Sequence, residues 1–182
     1  VREHDFTADL SRFQRSLARV HAQGGGDEPE SLNEALNQAI HGMNWRPTDT
    51  VRMVVLVADA PPHLDYHWQP FSYETDMAEA VRKGIKLFPV GASGLNEDGE
   101  YIFRQLAQFT GGKFVFLTYE DGNDPSSGPG TETAHDVDNY SVNTLDRLIV
   151  RLVREELAVL PQMAQGRMPD QANSPLHVVA GQ

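Results

Sequence analysis

"VRMVVLVADA", residues 51–60, is the stretch on which the fold turns. Val51, Met53, Val54, Val55, Leu56 and Val57 make a short apolar run, rich in Val and closed by the polar Asp59. A continuous run of this length marks a strand buried on both faces, as in parallel sheets, since a half-solvated strand alternates apolar with polar. It should be a central strand, with Val54 and Leu56 deeply buried.

Helical stripes and further strands alternate downstream. Met77, Ala80 and Val81 line a helix predicted over about 73–84 that stops at Gly84, and "IKLFPVGA" (85–92) reads as a strand. Ile102, Phe103, Leu106 and Ala107 mark a helix ending before Gly111, and "KFVFLT" (113–118) is a third strand. Strands alternating with helices specify parallel α/β layers. Upstream, Leu10, Phe13, Leu17 and Val20 form one amphipathic helix, with Thr7 as its cap and Asp9 in its first turn. Leu32, Ala35, Leu36, Ala39, Ile40 and Met43 form another, which begins after Pro29 and Glu30. From Glu120 to Asn139 the chain is Gly, Pro, Ser, Thr and Asp, the composition of a long surface loop. The stripe from Leu145 to Leu160 is the longest helix, and past Pro161 the residues read as a disordered tail or linker.

Composition narrows the function. The 182 residues, 40% hydrophobic, suffice for one domain and a tail. A formal charge of −11, from 26 acidic against 15 basic side chains, argues against nucleic acid or an anionic membrane as partner and favours a cation. Without cysteine there is neither a disulfide nor a thiolate zinc site. No apolar stretch is long enough to span a bilayer.

Two clusters carry candidate chemistry. In "AQGGGDEPESLNEALNQAI" (22–40), Gly24, Gly25 and Gly26 precede Asp27 and Glu28 at the start of a helix. A dinucleotide fingerprint needs glycines between a strand and a helix; here they follow a helix, Pro29 holds the third-glycine position, and two carboxylates would repel phosphate. The loop suits a cation or plain connection. In "ADAPPHLDYHW" (58–68), Asp59 ends the apolar strand, where ligand sites of parallel sheets lie. A helix-capping or turn aspartate is the bland alternative. His63, Asp65 and His67 add imidazole and carboxylate at alternate positions, which would allow a zinc site, although such histidines are more often packing groups.

"GGGDEPESLNEAL" (24–36), "VVLVADAPPH" (54–63), "GIKLFPVGASG" (84–94) and "IFRQLAQFTGGKFVFLTY" (102–119) together resemble a von Willebrand factor type A domain of the bacterial and extracellular-matrix kind, over about residues 1–160. The resemblance implies a doubly wound, mostly parallel sheet with a metal-ion-dependent adhesion site at its carboxyl edge. It also implies a Mg²⁺ ion, a protein ligand that supplies a carboxylate, and an extracytoplasmic or secreted setting. In such domains the ligands come from a D-x-[ST]-x-S loop after the first strand, a Thr in a loop before a helix, and an Asp at the end of the fourth strand. Asp59 matches the last, and Asp27 stands where the Thr is expected. The D-x-[ST]-x-S run is missing; "DPSSG" (124–128) has the wrong serine spacing. With few strands to flank residues 51–57, the chain reads as the C-terminal portion of such a domain, residues 1–160, with "VREHDF" (1–6) as the remnant of an edge strand. The expected function is a metal-dependent interaction or adhesion module without catalytic activity, its metal site incomplete. The alternatives are a hydrolase using the loop of Asp59, His63, Asp65 and His67, and an interaction domain without metal.

Overall fold

The computed structural model describes residues 4–20, 29–66, 68–92, 95–117, 119–121, 124–129 and 145–164. By internal contacts the chain divides into two units, Val1–Leu145 and Asp146–Gln182. The first holds a three-stranded parallel sheet flanked by helices.

Helix α1 (Leu10–Leu17) is capped by Asp9 instead of Thr7. The Asp9 carboxylate accepts from the Arg12 N–H at 3.0 Å, satisfying an otherwise unpaired first-turn donor. Thr7, one step further out, accepts from the Asp9 N–H at 3.1 Å. Helix α2 (Leu32–Asn37) does not continue as an α-helix to Met43; it widens into a π-helical turn over Gln38–Gly42. Leu32, Leu36 and Ile40, four apart, are buried. The carbonyls at the end of that turn, which a helix leaves unpaired, accept from side chains: Ala39 from the Trp45 indole and Ile40 from the Lys83 ammonium, both at 2.9 Å. Residues 4–6 of the expected edge-strand remnant form no strand. Asp5 instead folds back to accept from the N–H groups of Phe6 and Asn44.

Strand β1 (Arg52–Ala58), helix α3 (Tyr73–Arg82), strand β2 (Ile85–Gly91), helix α4 (Glu97–Thr110) and strand β3 (Val115–Phe116) follow in alternation. Ser72 and Thr75 form a reciprocal capping box that starts α3. Asn96 caps α4, and Gly111 ends it in the left-handed region at φ 71°. β1 pairs with β2 from Arg52↔Ile85 to Ala58↔Gly91, and β2 with β3 at Val90↔Val115 and Gly91↔Phe116, all parallel.

The order β1-β2-β3 makes β2 the central strand, not β1. Ile85, Leu87, Phe88 and Val90 of β2 are at most 1% exposed, whereas Val54 and Leu56 are only half-buried and Val57 is 44% exposed. Among the described residues β1 has a hydrogen-bonded neighbour on one edge only, so its apolar side chains are covered less fully than the composition of the run implies. Val54, Leu56 and Ala58 pack with Ile85, Leu87, Leu36, Ile40, Ala80, Phe103 and Leu106 in one core.

The stretch expected to be loop contains an antiparallel pair, β4 (Tyr119–Asp121) and β5 (Asp124–Pro129). Backbone pairing needs no apolar side chains, so a stretch poor in them can still form a ladder. Residues 130–144 and the expected tail beyond Ala164 lie outside the described residues. Helix α5 (Leu145–Ala164), which belongs to the second unit from Asp146 onward, runs through Pro161 instead of ending there. No helix of the described residues is long and apolar enough to cross a membrane.

The stripe of α3 differs from its sequence reading. Val81 is 46% exposed, while Asp76 is 2% exposed. One Asp76 oxygen accepts from the Asn37 amide at 2.9 Å and lies 3.2 Å from His41 Nε2; the other is buried without a partner among the described residues. Burial pushes the Asp76 pKa above the ordinary carboxylate value, against the lowering effect of Asn37 and His41. The folded state therefore favours the protonated form. Its contribution to stability is complete below the ordinary carboxylate pKa and is lost as pH rises through the raised folded value. Asp76→Asn keeps the acceptor and removes the charge, so this fall with rising pH disappears. Urea midpoints across acid to neutral pH check it; parallel profiles for the two proteins would contradict the assignment.

Candidate functional site

β1 delivers Asp59 to the carboxyl edge of the sheet, immediately after Ala58. Asp59 is exposed, and its carboxylate makes no hydrogen bond or ion pair with another described residue. A turn or capping aspartate would spend that carboxylate on a neighbouring N–H. Here it faces solvent at the position where parallel sheets hold ligands.

The chain just past Asp59 is tied to the chain just past the glycine-acid run. Pro61 and Pro62 have no N–H to give, and their segment pairs through its carbonyl and through the next donor along. The Glu30 N–H donates to the Pro61 carbonyl at 2.9 Å, and the His63 N–H donates to the Glu30 carbonyl at 3.3 Å, forming a parallel bridge centred on Glu30 and Pro62. The Asn33 side-chain amide then donates to the His63 carbonyl at 2.9 Å. Asp27 lies outside the described residues. The residues that follow it, Pro29 and Glu30, run beside the loop that Asp59 begins.

Asn33 escapes a sequence reading. It lies in the first turn of α2 next to the apolar stripe, where an Asn reads as solvent-facing, yet it is 6% exposed. Its amide oxygen is buried without a partner among the described residues. A buried acceptor left unpaired costs about 1–3 kcal/mol, which marks this junction as one where packing does not by itself satisfy every polar group.

The histidine half of the loop is built differently. His63 is 8% exposed. Its Nδ1 lies 3.3 Å from Asp65 Oδ1, its Nε2 lies 3.2 Å from the Tyr66 hydroxyl, and its ring stacks on Tyr66 at 4.0 Å. Both ring nitrogens are thus engaged within the loop, the arrangement of a packing histidine. A zinc ligand would keep one lone pair for the metal. His67 lies outside the described residues, and among the described residues no group of three or more His, Asp or Glu is placed to hold a metal ion. Among the described residues, what the edge offers a cation is oxygen, in the Asp59 carboxylate. Oxygen donors fit a hard ion such as Mg²⁺ in kind and supply part of a coordination shell.

Comparison with protein-family models finds no match for this chain, and comparison with curated protein sequences finds none either.

Proposed function

We propose that this chain is a protein-interaction module of the von Willebrand factor A type, with a doubly wound sheet, that engages a protein partner through Mg²⁺ at the carboxyl edge. The observation that carries this reading is the pairing of Glu30, three residues after Asp27 in the sequence, with Pro61 and His63 in the loop that begins at Asp59, whose carboxylate has no partner among the described residues. The sequential parallel order of β1, β2 and β3 supports it. Asp27 and Asp59 are the proposed ligands. A partner carboxylate would complete the shell, since Mg²⁺ retains waters that such an oxygen can replace. No D-x-[ST]-x-S run occurs in these 182 residues, so the site is incomplete and its affinity low. Against the hydrolase reading, His63 spends both ring nitrogens on Asp65 and Tyr66.

Weak sites are read well by a paramagnetic ion. Mn²⁺ added to the labelled chain is expected to broaden the amide signals of Glu30, Asp59 and Ala60 before those of α4, and Asp59→Ala removes that preference. Broadening that follows exposed carboxylates generally, unchanged in Asp59→Ala, would leave an interaction domain without a metal.

A further inference from the structure

The loop after Asp59 turns an aromatic ladder outward. The His63 ring stacks on Tyr66 with 4.0 Å between centroids and 10° between planes, and Tyr66 stacks on Trp68 at 5.3 Å and 30°. The ladder starts at a packed base, with His63 8% exposed, and ends in solvent, with Trp68 75% exposed. His63 also anchors the acid beside it, since its Nδ1 lies 3.3 Å from Asp65 Oδ1 while the Asp65 side chain stays 79% exposed. A Trp held in place by stacking, yet open to water, is the kind of side chain that dominates protein interfaces, because it buries a large area with few torsions to freeze.

Charge says what it fits. Between Arg52 and Arg82 the chain has no Lys or Arg, while Asp59, Asp65 and Glu74, all exposed, fall within it. An aromatic face is itself electronegative, so indole and carboxylates present the same sign to a partner. Of the biological cations, guanidinium matches both parts: it is planar and weakly hydrated, stacks on a ring, and donates two parallel N–H bonds to a carboxylate. An ammonium can satisfy only one of these geometries at a time.

We infer that Trp68 and Asp65 form a docking patch for an arginine-rich segment of a partner protein, one guanidinium stacking on the indole and a neighbouring one donating to the Asp65 carboxylate. The patch uses no metal ion and is independent of the cation site proposed above.

The test uses the full chain in EDTA and an acetylated triarginine amide as probe. The two tryptophans separate local from general effects: the Trp45 indole N–H is committed to the Ala39 carbonyl at 2.9 Å, while Trp68 is open. Triarginine is expected to shift the Trp68 indole signal and leave that of Trp45 in place, and trilysine to bind more weakly. Trp68→Leu keeps an apolar side chain but loses the π face, and Asp65→Asn loses the charge; each should weaken triarginine binding about threefold to tenfold. Unchanged affinity in Trp68→Leu would overturn the proposal, because it would mean that the probe responds only to the net charge of −11. A triglutamate peptide that shifts Trp68 equally would overturn it too. Because EDTA is present throughout, either failure leaves the Mg²⁺ reading standing, and failure of that reading leaves this one.

Discussion

Phe103→Ala is expected to lower the unfolding free energy by about 3–5 kcal/mol, a large share of the roughly 5–15 kcal/mol that holds a domain together. Phe103 is fully buried on α4 and belongs to the core that contains Leu87, Leu106 and Phe116. Its ring meets Phe114 edge to face at 6.3 Å and 74°, and Phe114 meets Phe116 in the same manner at 6.2 Å and 79°. Truncation therefore removes transfer energy, leaves a cavity between α4 and the sheet, and breaks the first link of an aromatic chain that seats β3. Phe109, on the same helix but 57% exposed, is the control. Its alanine variant should shift stability by no more than about 0.5 kcal/mol. Urea unfolding of both variants decides it, and similar losses would mean that α4 does not face the sheet as described.

The second large effect is expected at Gly112, and it separates two glycines that look alike in sequence. Gly111 has φ 71° with nothing within 4 Å of an added Cβ, so Gly111→Ala suffers only left-handed strain, about 1–2 kcal/mol. Gly112 has no such φ, but a Cβ there would lie 1.8 Å from the Leu87 carbonyl oxygen and 2.7 Å from its carbon. Those atoms are backbone of the central strand and cannot rotate away. Gly112→Ala must force the chain leading into β3 off β2, at the expense of the Leu117 N–H bond to the Gly91 carbonyl, 2.7 Å. A cost above about 3 kcal/mol follows, at or beyond the upper end for overpacked cores. Thermal or urea unfolding of the two single variants gives the ranking; Gly111→Ala as the more damaging change would refute it.

The parallel α/β class was legible because continuous apolar runs alternate with apolar stripes of helical period, and burial enforces both patterns. Periodicity reports how apolar a segment is, not who its neighbours are. For that reason the Val-rich run read as central, although β2 holds that place and β1 is covered less. Asp76 was illegible for a related reason: its acceptor role depends on Asn37 and His41 arriving from another helix. The β4–β5 pair was missed because its pairing is carried by backbone groups in a stretch with almost no apolar residues. At the candidate site, the position of Asp59 follows from strand direction alone. The tie from Glu30 to Pro61 and His63 does not, since main-chain groups leave no trace in residue identity. Likewise, nothing in the spacing of His63, Asp65 and His67 foretold that His63 would spend both its ring nitrogens inside its own loop.

The cation reading rests on Asp59, and one measurement addresses it directly. Calorimetric titration with Mg²⁺ and Mn²⁺ is performed on this chain and on a version in which an apolar strand followed by a D-x-S-x-S loop is joined ahead of it. Such a strand can pair with the edge of β1 that no described strand occupies and bring hydroxyl and carboxylate ligands to the carboxyl edge, so stability and affinity are expected to rise together. Asp59→Ala in the longer protein should abolish the affinity and leave the urea midpoint in place. Equal cation affinities for the two chains, or tight binding in the longer one that survives Asp59→Ala, would contradict the proposed site.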